Sequence, residues 1–311
     1  MSNEQHPSDK IGRITGTFLD EITVDIGSMN WSANDWRRDF EAMAAIGIDT
    51  VVIIRGGLKD KAIFPSKVVG NPYDPDLAQV FLDEAQRHNM RLFFGTYDTG
   101  LLPYVGESQV RSELEINFKF VDEVLSRYGG HPAFKGWYIT HEVSRNESGI
   151  TTLFREMATY LKEKTPDFPN LISPYYPGKI LGQNNLSRQQ FGESWRELLN
   201  GLTNLVDIIA FQDGTTAMDE YAEFLAEAQA FCREFSIEFW NNVESFDREM
   251  SYNFPPRDIR VITRRLRIAE PFVKKHITFE FSHFMSPNSS FPGAANLYKR
   301  YREVVLGEQP E

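Results

Sequence analysis

The sequence predicts one (β/α)₈ barrel, on three observations. Eight short apolar β-type runs alternate with amphipathic helical runs along the 311 residues. A helical run follows every strand candidate, the pattern of a parallel sheet with crossover helices. Connections before the strands are short and those after them are long, which is where barrels of this class build their sites.

The strand candidates are Ile14–Asp20, Thr50–Arg55, Arg91–Asp98, Gly136–Glu142, Asn170–Tyr176, Val206–Asp213, Ile237–Glu244 and Ile277–His283. After the first, Asn34 is placed to cap a helical run that stops at Gly47. The second helix is expected to open with Asp74 as cap and Pro75 at its first position, and to end near Asn89. The third spans Glu107 to Tyr128, halted by Gly129, Gly130 and Pro132; the fourth runs from Ser148 to Lys164. The others lie at Gly192–Leu199, Asp219–Phe235, Pro256–Lys274 and Gly293–Val304. A doubly wound open sheet is the competing arrangement, but FLDEITVDIG follows strand one where that fold carries a glycine-rich phosphate turn. Residues 1–12 read as a loosely ordered tail and 13–311 as a single barrel domain.

Composition narrows the function. Net charge is −11 and the pI about 5.2, so the basic footprint of a nucleic-acid binder is missing. The densest basic stretch, Arg257 to Arg267, reads as a solvated helix face. The single cysteine, Cys232, lies on the apolar side of a helix and reads as a buried hydrophobe. No apolar run is long enough to span a bilayer. The polar start MSNEQHPSDK lacks the core of a signal peptide, which points to a cytoplasmic protein without membrane contact. The oligomeric state is not legible. The six histidines form no H-x-H or H-x-x-x-H pair, so no metal and no cofactor is expected.

Two carboxylates stand out. GWYITHEV ends strand four at Glu142, and IEFWNNVES ends strand seven at Glu244. Because side chains alternate along a strand, Tyr138, Thr140 and Glu142 share one face, as do Glu238, Trp240, Asn242 and Glu244. The opposite faces are apolar and should meet the helices, so the polar faces should point to the barrel axis. Glycoside hydrolysis with retention needs two carboxyl groups about 5–5.5 Å apart, one to protonate the leaving oxygen and one to attack. Inversion needs about 6.5–9.5 Å, a difference no sequence decides.

At these residues the chain resembles the large clan of retaining β-glycosidases on (β/α)₈ barrels, and its opening GTFLDE resembles that of a poorly characterised family of glycosidase-like barrels. The resemblance implies Glu142 as acid/base and Glu244 as nucleophile, and places Arg55 of VVIIRGG near the nucleophile. Two positions depart from the clan: His141 stands where Asn usually precedes the acid/base, and TFEFSHFMSP lacks the usual Trp platform.

Around the expected mouth, Arg55, Asp20, Glu21, Tyr97, Asp98, His141, Tyr175, Gln212, Asp213, Trp240, Asn242 and His283 are candidate substrate contacts. Each has a structural competitor: Asp20 and Glu21 could as well cap a loop. Glu280 is a third carboxylate candidate, read as a buried partner for a base such as Arg55, with the role of nucleophile in place of Glu244 as its alternative. The loop aromatics Tyr73, Tyr104, Phe246, Tyr252 and Phe254 look like cleft walls. The expected function is hydrolysis of a β-linked glycoside. A carbohydrate-binding barrel without catalysis, and a sugar isomerase or lyase, are the alternatives.

Overall fold

The structure, a computed structural model, describes residues 11–23, 27–72, 75–100, 106–248 and 255–309. Eight parallel strands close into a barrel in chain order: β1 (Ile14–Leu19), β2 (Thr50–Ile53), β3 (Arg91–Gly95), β4 (Phe134–Ile139), β5 (Asn170–Ile172), β6 (Ile208–Gln212), β7 (Glu238–Glu244) and β8 (Lys275–Phe279). The predicted (β/α)₈ barrel is therefore the fold. Its helices are α1 (Ala33–Ala45), α2 (Leu77–Arg87), α3 (Glu107–Tyr128), α4 (Ile150–Lys164), α5 (Arg188–Asn200), α6 (Tyr221–Glu234), α7 (Ile259–Ala269), α8 (Phe281–Phe284) and α9 (Ala294–Tyr301).

Several boundaries differ from those read in the sequence. Ser32, not Asn34, caps α1, because it forms a reciprocal capping box with Asp35. Asp76 caps α2, accepting from the Gln79 amide at 3.0 Å and from the Tyr128 hydroxyl at 2.7 Å, so Pro75 stays outside the helix. Asp74 lies outside the described residues. Strand eight stops at Phe279; Glu280 then caps the one-turn α8, which carries His283. Of the expected N-terminal tail, residues 1–10 lie outside the described residues, while Ile11 already packs on the core.

Alternation sorts the core into two layers. Phe18, Val52, Phe93, Tyr138, Leu171, Ile208, Trp240 and Ile277 point inward and fill the barrel, as its close packing requires. Their outward neighbours, such as Phe94, Trp137, Ile139, Phe239 and Val243, meet the helices, and Cys232 is buried with them. Two-residue strands at Gly57–Leu58, Lys61–Ala62, Asn71–Pro72 and Tyr97–Asp98 form a small second sheet beyond the ends of β2 and β3. Gly95 permits this crossing, because a side chain there would collide with the Ile53 carbonyl and the Arg55 amide.

Candidate active site

Glu142 follows β4 on the inward face, half-buried, with the Tyr138 hydroxyl 3.1 Å from its Oε1 and Gln212 within hydrogen-bonding range. Burial pushes its carboxyl above the ordinary range, and Arg55, Gln212, Tyr138 and Arg248 offset only part of that. Arg55 does not reach β7 or β8. Its Nε lies 3.1 Å from Asp98 Oδ2, and its charge acts most strongly on Glu142. Sheet order explains the correction: β2 pairs with β1 and β3, so its end faces the β3 and β4 side of the mouth.

Glu244 closes β7 with a side chain 1% exposed. Arg248, on the loop just beyond, donates from Nε to both oxygens (3.1 and 2.8 Å) and from Nη2 to Oε1 (2.6 Å). Arg257 Nη2 stands 3.9 Å from Oε2. Gly214 packs flat on the carboxylate, and any side chain there would occupy the space of its oxygens. Behind it, Asp213 accepts the Glu244 amide at 3.0 Å and is flanked by Arg257 (3.5 Å) and Arg265 (3.7 Å). The Arg257 to Arg267 stretch is thus only partly a solvated face. Arg260, Arg264 and Arg267 are exposed, while Arg257 and Arg265 turn inward to Asp213.

His141 is buried and shares the outward face of β4 with Trp137 and Ile139, so it leaves the mouth. Its Nε2 lies 3.1 Å from Glu113 Oε1 of α3. Asp98, Glu113 and His141 bring ligand-type atoms within 4.8 Å of one another. Their carboxylate oxygens, however, already accept from Gly100, Arg55, Thr99 and Asn117, as in a structural relay. Asp98 sits below its usual value although burial pushes it up, because His141 and Arg55 outweigh the burial.

On the opposite rim, Glu280 Oε1 lies 2.8 Å from His283 Nδ1, and His283 Nε2 lies 3.2 Å from the Ser28 hydroxyl, which donates to Glu21. Burial lifts Glu21 to about 7; against the opposing pull of burial, Glu280 and the nearby acids lift His283 to about 9. Glu280 is therefore a buried partner for a base, but the base is His283 rather than Arg55.

Other candidates separate cleanly. Gln212 and half-buried Tyr175 pair across neighbouring chain segments beside Glu142. Asn242, two residues below Glu244, donates to Ser173 at 3.2 Å. Trp240 is a correction: it lies roughly 13 Å down the strand from Glu244, inside the barrel, with its Nε1 on Glu238. Tyr97 is another; the break after Gly95 resets the alternation, and its ring packs outward on Phe120. Asp213 is fully buried, and Asp20 caps its own loop by accepting from Ile22 and Thr23. Phe246 is no cleft wall, since its ring is buried against Phe279 and Phe284. Tyr73, Tyr104, Tyr252 and Phe254 lie outside the described residues. Sequence reasoning missed Arg248, Arg257 and Gly214; a usable signal was the four-residue spacing from Glu244 to Arg248. Among the described residues no helix is long and apolar enough to cross a membrane.

Comparison with known proteins agrees with this architecture. A proposed alpha-L-fucosidase of Bacteroides thetaiotaomicron is 38% identical over 99% of this chain and 98% of its own, with a TM-score of 0.91. The intracellular xylanase TsXylA of Thermoanaerobacterium saccharolyticum shares the fold at 13% identity and a TM-score of 0.53, covering 88% of this chain and 86% of its own. A family 39 glycoside hydrolase of Bacteroides cellulosilyticus does so at 11% and 0.54, covering 88% and 56%. None of the curated proteins matches the sequence. A family model described as a domain of unknown function, DUF4434, matches residues 14–291, so the chain belongs to the DUF4434 family, on a glycosidase-like (β/α)₈ barrel.

Proposed function

We propose that the protein is a retaining glycoside hydrolase, with Glu142 as acid/base and Glu244 as nucleophile. The observation that carries this reading is the contrast between two carboxylates at one barrel mouth. A general acid needs a raised carboxyl, and burial moves Glu142 in that direction. A nucleophile must be aimed, and two arginines with a flush glycine fix the position of the Glu244 carboxylate. In the first step Glu244 attacks the anomeric carbon as Glu142 protonates the departing oxygen; in the second, Glu142 takes a proton from water.

The substrate is a carbohydrate, and the Bacteroides relative puts an α-L-fucoside beside the β-linked glycosides in the first test panel. Aryl α-L-fucosides, β-D-xylosides and β-D-galactosides should be screened, and the first-formed anomer read by proton NMR. Hydrolysis with retained configuration supports the assignment. Inversion overturns the nucleophilic role, and binding of a sugar without turnover across the panel favours a carbohydrate-binding barrel.

A further inference from the structure

The two arginines on Glu244 are held very differently. Arg257 is 6% exposed, and its other terminal nitrogen faces Asp213, so it is fixed in the wall. Arg248 keeps 36% of its side chain exposed. It stands four residues after Glu244, next to the Phe246 and Pro256 bridge and the Asp247 amide on the Pro255 carbonyl at 2.9 Å. Its guanidinium rests 5.1 Å over the Phe246 ring. One cation is thus rigid and the other can turn on an aromatic floor. In the present arrangement Arg248 occupies both oxygens of Glu244, the atoms that would have to attack.

Charge bookkeeping over the reaction, which rests on the glycosidase reading above, gives this arrangement a purpose. When a Glu244 oxygen bonds to the anomeric carbon, the bond from that carbon to the leaving oxygen breaks and Glu142 gives its proton to that oxygen. The carboxylate of Glu244 becomes a neutral ester and Glu142 becomes an anion, so one negative charge crosses the mouth. A guanidinium left facing an ester in a substrate-covered site would lose its partner at considerable cost. Water then attacks the anomeric carbon as Glu142 accepts its proton, the bond from that carbon to the Glu244 oxygen breaks, and the charge returns to Glu244.

We propose that Arg248 is a positioning residue that follows this charge, holding Glu244 in the resting protein and turning to Glu142 in the covalent intermediate. Arg248 already acts electrostatically on Glu142 across the mouth. The other groups facing Glu142 are Tyr138, Gln212 and Arg55, the last tied to Asp98. Those facing Glu244 are Arg257 and, through its amide, Asp213. All of these are anchored to strands or buried ion pairs, which leaves Arg248 as the solvent-exposed cation among the described residues that face either carboxylate.

Glu244→Gln is a neutral stand-in for the ester, and a crystal structure of that variant tests the exchange without turnover. Arg248 should hydrogen-bond Glu142 there; an arginine that stays at the strand-seven side chain overturns the proposal. The carboxyl titration of Glu142, followed by carbon-13 NMR in the full chain, gives a second reading, first with the buried nucleophile intact and then with it replaced. Arg248→Met should raise its midpoint by about one pH unit, and by more in the Glu244→Gln background. No change in either background contradicts the exchange. Arg248 moving in a protein that hydrolyses nothing removes the glycosidase reading and keeps the exchange. Hydrolysis with an arginine that never leaves strand seven does the reverse.

Discussion

Glu142 and Glu244 are the same residue type at the ends of strands three places apart, yet their neighbourhoods share little. Around Glu142 the contacts are a phenol, an amide and an arginine occupied elsewhere by Asp98. Around Glu244 they are a bidentate guanidinium, a second arginine and the bare face of Gly214. Burial raises the first carboxyl above its ordinary range, and guanidinium hydrogen bonds fix the second in place. The lesson is that role is set by what neighbouring strands present, here β2 and β6 on one side and the β6 and β7 loops on the other.

The sharpest way to break the comparison is to remove each carboxylate. Glu244→Ala should cost on the order of 10⁴-fold or more in kcat for every substrate, with azide restoring turnover to a product of inverted configuration. Glu142→Ala should cost about 10²–10⁴-fold on poor leaving groups and far less on activated aryl glycosides, measured as kcat/KM across a leaving-group series. Equal losses for both variants on all substrates would erase the distinction between the sites.

A smaller effect follows from the packing behind the nucleophile. Gly214→Ala puts a methyl where the Glu244 carboxylate now lies, so that group must move. A displacement of about 1 Å is enough for a loss near 10²-fold. The fall should appear in kcat at a nearly unchanged melting temperature. Wild-type turnover in this variant would show that Glu244 is not held where the reaction needs it.

The smallest effect should come from Arg55. Its charge draws the Glu142 carboxyl down against burial, so Arg55→Met should lift that carboxyl further. Because the acid works protonated, the basic limb of the pH–rate profile should move to higher pH by about one unit, while the acidic limb stays. Movement of the acidic limb instead would place Arg55 with the nucleophile, as its position after strand two first suggested.

That misplacement shows where the sequence stops. Alternation of period two put Tyr138, Trp240 and Glu244 on inward faces, and all three follow it because the strands are regular there; Glu142 keeps the same side three residues past the end of β4. It failed where regularity fails. Gly95 ends β3 early, so Tyr97 turned outward; the turn into α8 took His283 off the strand. Arg55 found Asp98 because sheet neighbours outrank distant strands, a fact of closure rather than of composition. Arg257 and Arg265 read as solvated charges because nothing in the stretch around them announces the buried Asp213 they serve. Arg248 belongs to a loop, and only its fold back onto β7 gives it a partner.

The central claim is that Glu244 makes a covalent bond to the sugar while Glu142 handles the proton. A slow 2-deoxy-2-fluoro glycoside of whichever sugar is turned over should inactivate the protein with one equivalent of label. Proteolysis and mass spectrometry should then place that label on the strand-seven peptide at Glu244. Label on Glu280 or on any other carboxylate, or turnover that is never trapped, would contradict the account.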